Sequence, residues 1–162
     1  MLYHHEDGAV FRPMTLEDVP AVAEMEKICF RSPWSKRMLG EELKNPIAHY
    51  HVLELDAKII SYAGMWVVYD EAHITNVAVL PPYRRQGYAR RVMLLSMRAA
   101  ILQNAAQMTL EVRESNVGAQ TFYFGLGFEL AGKRRGYYGD TKEDALILWN
   151  RNINKTVQEL CL

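Results

Sequence analysis

The sequence predicts an α/β (α+β) sandwich: a mixed, mostly antiparallel twisted sheet, with some parallel pairing, carrying about four helices. Three observations predict it. Strand-like runs rich in β-branched and aromatic residues alternate with stretches of helical spacing. The first three long runs follow one another with only short breaks, as in a meander. The later ones come in the order strand–helix–strand–helix–strand–strand.

Taken in order, "AVFRPMT" (9–15) reads as the first strand. Asp18 stands where it can cap a following helix, with Pro20 in the first turn, where its missing N–H is harmless. Val19, Val22, Ala23, Glu26 and Phe30 keep the helical spacing. Ser35 caps a second, short helix that ends before Pro46. The runs "HYHVLEL", "KIISYAGMWVV" and "AHITNVAVL" follow, with "LDAK" and "YDEA" as hairpin turns between them. Pro81 and Pro82 stop the third. From Gly87 to about Gln103 a long helix sets Ala89, Val92, Met93, Ser96 and Ala100 on one face. Leu94, Leu95, Ile101 and Leu102 make its other sides apolar, as suits a helix packed on a sheet. "QMTLEVRE" is the next strand, and Asn116 caps a helix that ends at Gly127, a left-handed stop. "FELAGKRRGYY" and "DALILWN" form a last pair of strands around a polar loop.

The 162 residues, 49% of them hydrophobic, suit one domain with a core over about 9–150 and a tail at 151–162. Lys plus Arg and Asp plus Glu both number 19 and cancel, which argues against a dedicated nucleic-acid binder. Cys29 and Cys161 form no CxxC spacing, so a reducing compartment is the simpler reading. The amino terminus lacks the pattern of a signal peptide, and no apolar run approaches the ~20 residues that span a bilayer. A cytoplasmic protein is expected, with no membrane partner. The histidines at 4, 5, 49, 51 and 73 lack metal-ligand spacing; His49 and His51 share a strand face and read as a hairpin pair, so no metal is expected.

One stretch conflicts with ordinary helix chemistry. "PPYRRQGYARRV" (81–92) places Arg84, Arg85, Arg90 and Arg91 around a helix start, where the dipole is positive and no Ser, Thr, Asp or Asn supplies a cap. Free backbone amides at a helix start bind anions, Gly87 permits a sharp bend, and guanidinium groups pair with phosphate oxygens. A bound pyrophosphate would supply the missing negative charge. The bland alternative is a solvated basic end whose arginines pair with surface carboxylates. GxxxxGK[ST] and GxGxxG are both absent, which weakens the ATP and dinucleotide readings.

"RRQGYA", following "NVAVLPPY", resembles the acetyl-coenzyme A signature (Q/R)-x-x-G-x-(G/A) of the Gcn5-related N-acetyltransferases (GNAT), with Arg84, Gly87 and Ala89 at its fixed positions. "LEVRESNVGAQTFYFGLGF" and "RRGYYGDTKEDALIL" are similar to the RimI branch, the ribosomal-protein-alanine N-acetyltransferases. The likeness runs from about Phe11 to Trp149 and leaves out the tail "RNINKTVQELCL". It implies a sheet splayed between the "NVAV" and "LEV" strands, with a bulge in the first. Val77, Ala78 and Val79 then pair with the pantetheine arm, and the amides of Arg85, Gln86, Gly87, Tyr88, Ala89 and Arg90 receive the pyrophosphate. Asn116 contacts the arm from the other strand's end.

Acetyl transfer needs a neutral amine and a proton for the departing thiolate. Glu111 alternates with Leu110 and Val112 and so points away from the face they cover. It is either a carboxylate on a solvated face, paired with Arg113, or, as the resemblance implies, the base. Tyr123 shares a helical face with Ala119 and Leu126, a core tyrosine by spacing; the resemblance makes it the general acid. The resemblance also implies that Tyr137 and Tyr138 in the last hairpin, and Phe30 and Trp34 in the loop between the first helices, flank the acceptor; by themselves they read equally as loops of exposed aromatics and bases. An α-amino group of pKa about 8 is roughly one-tenth neutral at pH 7, whereas a lysine near 10.4 needs ~4 kcal/mol more help. A single carboxylate therefore suits a protein N-terminus, by resemblance the N-terminal alanine of a small-subunit ribosomal protein. A small amine acceptor such as a polyamine or aminoglycoside, and a non-catalytic acyl-coenzyme A-binding module, are the rivals; the basic, aromatic "RRGYY" and the presence of both Glu111 and Tyr123 weigh against them.

Overall fold

Tight turns set the register of the sheet. Between strands β3 (Ala48–Leu55) and β4 (Lys58–Val68), Asp56 and Ala57 both take positive φ, 49° and 61°. Two left-handed residues in succession match the right-handed twist of the flanking strands. Tyr69, at φ 53°, turns β4 into β5 (Glu71–Val79). The computed structural model describes residues 1–160, so the second cysteine, Cys161, lies outside the described residues. Its eight strands stand in the order β1-β2-β3-β4-β5-β6-β8-β7.

Three expectations are corrected. The first strand is narrower than 9–15: β2 covers Val10–Pro13 and pairs with β1 (Tyr3–His4), too short to carry a sequence pattern. Asp18 stands at the N-cap of α1 (Val19–Cys29) but caps nothing there. Its carboxylate takes two bonds from Arg12, at 2.7 and 2.9 Å, and one from the Thr15 amide. A forked, charge-assisted pair outcompetes a cap. Third, α4 (Val117–Phe124) ends before Gly127. That glycine is left-handed (φ 82°) but closes the following turn, where a Cβ would crowd Thr156 and Asn150. Among the described residues the expected helices, about four, number five, because Ile153–Leu160 of the tail form α5, with Ile153 and Thr156 buried.

The remaining helices lie where their apolar residues require. Ser35 caps α2 (Lys36–Glu42) through the Met38 amide, and α1 and α2 cover Tyr50, Val52, Tyr62 and Ala78 on one face of the sheet. On the other face α3 (Tyr88–Leu102) packs over Phe11, Leu53, Ile60 and Ala63, and its Met93, Leu94 and Met97 over Met65, Ala72 and Ile74. Among the described residues no helix is long and apolar enough to cross a membrane.

β5 and β6 (Gln107–Arg113) pair in parallel over only three residues, ending at His73↔Thr109. β6 then continues against β8 (Ala145–Asn150), which pairs with β7 (Glu129–Arg134), while β5 continues against β4. The two strands part into a wedge, as expected. A bulge at Thr75 marks the parting, where the β4–β5 register jumps from Met65↔Ile74 to Gly64↔Asn76. Along β6, Met108, Leu110 and Val112 are buried under the α3 face, whereas Thr109, Glu111 and Arg113 are half-buried on the α1 face.

Gly64 is required opposite Tyr50, because a Cβ there would overlap the buried phenol ring. Gly64→Ala is expected to destabilise the protein by about 1–3 kcal/mol, the usual cost of overpacking a filled core. An unchanged urea midpoint would show that the ring moves aside freely.

Candidate active site

The wedge opens at the carboxyl ends of β5 and β6. The Leu80 amide donates to the Ile60 carbonyl, and Val79 stands opposite Ser61. By strand alternation, Val77 and Val79 therefore point their backbone groups into the wedge, while Ala78 points its own towards β4. Of the three residues expected to meet a pantetheine arm, the two valines present backbone. The Val79 carbonyl already accepts from Arg84 Nε at 2.9 Å, and the Ala78 carbonyl from Ser61 Oγ at 2.7 Å.

Past β5 the chain crosses a one-turn 3₁₀ helix (Pro81–Tyr83) and enters α3 through Arg85 (φ 61°) and Gly87 (φ 85°), both left-handed. No side chain caps the first turn of α3. Its amides and the parted strand edge fit an extended ligand ending in an anion. The four arginines divide. Arg84 folds back on β5, Arg90 donates to the Leu160 carbonyl (3.3 Å), and Arg91 pairs with Asp7 (2.7 Å). Arg85 is exposed and has no hydrogen bond or ion pair among the described residues. Asn116 spends its side-chain oxygen on the Ala119 amide as the cap of α4, leaving its NH₂ for other partners.

Glu111 and Tyr123 approach the wedge from opposite faces. Glu111 lies on the α1 face with its side chain 9% exposed, and Oε2 is 2.6 Å from His73 Nε2. Oε1 is 3.9 Å from Arg134, whereas Arg113 turns to Asp140 and Glu143. The alternative of a solvated Glu111 paired with Arg113 is therefore not what the structure shows: its partners are His73 and Arg134. Tyr123 packs on the α3 face with Val77, Ala119 and Leu126, its ring edge-on to Phe128. Burial pushes its phenol pKa up to about 12, so it stays protonated at neutral pH.

Tyr137 and Tyr138 meet edge to face at 5.1 Å, with Tyr138 under the Arg113 guanidinium. Burial raises both phenols, Tyr138 to about 12, and the negative charge of Glu111 adds to the effect; Arg134, 3.9 Å from Glu111 and over the Tyr137 ring at 5.9 Å, links this hairpin to Glu111. Phe30 and Trp34 stand apart: the described residues show no hydrogen bond or ring contact between them and the Glu111 group. Phe30 ends α1 half-exposed, and Trp34 packs near Tyr50, ring centroids 6.5 Å apart.

A polar network beneath the bulge joins the two regions. Tyr62 and Asn76 both donate to Glu26 Oε1, at 2.5 and 2.9 Å, and Tyr50 Oη lies 2.9 Å from Thr75 Oγ1. Trp66 donates to Glu42 at 2.7 Å and sets its ring edge-on to His73. Sequence reading missed Trp66 and His73. The signal for His73 was its place in a strand paired in register with β6, which no motif reveals.

Residues 19–128 match the model of the acetyltransferase (GNAT) family. A Bacillus subtilis (strain 168) protein, provisionally named as a ribosomal protein bS18-alanine N-acetyltransferase, is 42% identical over 142 residues, covering 87% of this chain and 94% of that one. The ribosomal protein bS18-alanine N-acetyltransferase of Escherichia coli (strain K12) is 34% identical, covering 81% and 89%. A crystal structure of the ribosomal-protein-S18-alanine N-acetyltransferase from Escherichia coli superposes with a TM-score of 0.80 at 32% identity, covering 87% and 92%.

Burial raises the Glu26 carboxyl above the ordinary glutamate range, so the folded state holds its proton more firmly than the unfolded chain does. That contribution to stability is complete below about pH 4.3, the usual glutamate pKa, and is lost as pH rises through the higher folded value. Glu26→Gln keeps the accepting oxygen without the charge. Its urea midpoint is expected to gain on the wild type as pH rises from about 4 to 8; parallel profiles would count against a buried ionising group.

Proposed function

The chain belongs to the acetyltransferase (GNAT) family and is an acetyl-coenzyme A-dependent N-acetyltransferase, and we propose that it acetylates the N-terminal alanine of a ribosomal protein. The relatives' names support the acceptor. The observation that carries the reading is the wedge itself, with a carboxylate on one face and a protonated phenol on the other. A ribosomal acceptor places the enzyme in the cytoplasm.

In this proposal the coenzyme supplies the acetyl group as a thioester. Val77 and Val79 hold its arm by their backbone groups, with Ala78 keeping β5 fixed to β4, and Asn116 adds its NH₂ from the start of α4. The first-turn amides of α3 and the free cation of Arg85 take the pyrophosphate. Glu111 accepts a proton from the acceptor's ammonium group, leaving a neutral amine to form the new C–N bond. As the C–S bond breaks, Tyr123 gives its phenolic proton to the departing sulfur, and the proton that the newly bonded nitrogen must still lose restores the phenol. Tyr137 and Tyr138 cover the acceptor backbone, and Phe30 and Trp34 bound its first side chain from the α1 end. Arg134 beside Glu111 works against a polycationic small amine, which favours the peptide over the polyamine.

With acetyl-coenzyme A and a peptide bearing an N-terminal alanine and an internal lysine, mass spectrometry is expected to find acetyl on the α-amine alone. Glu111→Gln is expected to slow transfer by about 10²–10⁴-fold while coenzyme still binds. Transfer undiminished in that variant would remove Glu111 as the base. Gly87→Val places a Cβ on a left-handed residue that faces open space. Calorimetry is expected to show coenzyme affinity at least about tenfold weaker, with a stability loss of about 1–3 kcal/mol; unchanged affinity would move the pyrophosphate elsewhere.

A further inference from the structure

The parallel pairing of β5 and β6 ends at His73↔Thr109, and Glu111 lies two residues further along β6, on the same face as Thr109. The strands part between these two positions, so backbone pairing with β5 no longer steadies Glu111. β6 still pairs with β8 there, through Glu111↔Ile147, but an isoleucine side chain offers a carboxylate no donor.

Side chains must then fix the carboxylate, which stands at one side of a cavity of about 390 Å³ walled by Trp66, His73, Thr109, Arg134 and Trp149. Most of these walls have nothing to give it. Trp66 donates its N–H to Glu42 of α2, and the Thr109 hydroxyl donates to the Leu148 carbonyl. The Trp149 ring lies against the Arg151 guanidinium. Arg134 stands 3.9 Å from Oε1, an ion-pair distance but too long for a hydrogen bond. His73 remains, with Nε2 2.6 Å from Oε2, and among the described residues this is the one hydrogen bond to the Glu111 carboxylate. A base ready to take a proton is ionised, and an ionised carboxylate only accepts. The ring proton therefore sits on Nε2 and is donated to Oε2. The ring is itself held, because Trp66 meets it edge-on at 6.2 Å and Trp66 is anchored on Glu42.

We propose that His73 is a positioning residue for acetyl transfer: its Nε2–H bond to Oε2 fixes the Glu111 carboxylate so that Oε1 is the atom that receives the acceptor's proton. This rests on the reading of Glu111 as the base. The proton leaves the acceptor's ammonium group for Oε1, and the ammonium becomes a neutral amine. The carboxylate becomes a carboxyl group still bonded to His73 through Oε2, and the ring keeps its own proton throughout. The carboxyl group returns the proton to solvent once the product has left. The same bond bridges β5 and β6 just past their last backbone rung. It thereby keeps the carboxylate from turning both oxygens to the forked guanidinium of Arg134, which would close off Oε1.

Three variants separate the donor from the bulk of the ring. His73→Gln can place an amide N–H near the position of Nε2, His73→Asn reaches only as far as Nδ1, and His73→Leu keeps bulk without a donor. His73→Leu and His73→Asn are expected to lose kcat by about 10–10²-fold, with the KM for coenzyme within about twofold of the wild type. His73→Gln is expected to stay within about threefold of the wild-type kcat, since it restores the donor. Added to Glu111→Gln, His73→Leu is expected to cost nothing further, because both changes disable one device. A His73→Gln enzyme as slow as His73→Leu, or losses that multiply in the double variant, would reduce His73 to packing and overturn the proposal. Failure of the base reading looks different: Glu111→Gln would then turn over like the wild type, and the kinetic role of His73 would fall with it. NMR of the histidine ring nitrogens needs no acceptor. A proton on Nε2 of His73, slow to exchange with water, is expected, and Glu111→Leu is expected to abolish its signal. An Nε2 that carries no proton overturns the positioning bond whatever the protein acetylates.

Discussion

Two parallel strands that stop pairing after three residues set the terms for the rest of the molecule. Backbone groups left at such a parting need partners, and unpaired buried amides and carbonyls are costly. The wedge therefore cannot simply be a gap in the sheet. On the β4 side the bulge at Thr75 turns Val77 and Val79 towards the opening, and the network of Glu26, Tyr50, Tyr62 and Asn76 holds that bulge from below. On the β6 side, pairing with β8 continues, so Glu111 sits on a strand that stays rigid where β5 departs. A ligand lying along the parted edge completes a ladder that the protein leaves unfinished.

The arginine-rich start of α3 shows how a local conflict is divided up. One guanidinium braces the end of β5, one meets the carbonyl end of α5, and one is neutralised by Asp7. Among the described residues Arg85, left-handed and two residues before Gly87, is the one of the four without such a partner. The crowding of charge in the sequence thus exceeds the charge available to a pyrophosphate. In the proposed pyrophosphate site, backbone amides would then carry more of the binding than the four arginines suggest.

Much of this was legible in the sequence. The strand runs, the Ser35 and Asn116 caps and the long helix after Gly87 follow from period, capping chemistry and turn residues, all local signals. The positions of Glu111 and Tyr123 on opposite faces follow from alternation in one strand and spacing in one helix. What was hidden depends on partners distant in sequence. Asp18 looked like a cap until Arg12 claimed it, and the alternative partner of Glu111, Arg113, is drawn away by Asp140. His73 and Trp66 belong to the site only because β4, β5 and β6 bring them together, and the short apolar side of α5 was too brief to read.

That last helix, outside the stretch matched by the family model, touches both walls of the wedge. Its final carbonyl receives Arg90 from the first turn of α3. Thr156 meets Asn150, whose amide also holds the Leu126 carbonyl in the turn after α4. One short element is thereby pinned to the two helices that border the cleft and acts as a spacer bar between them. The gauge of the cleft is thereby set by an element that lies well beyond Glu111 and Tyr123 in the sequence.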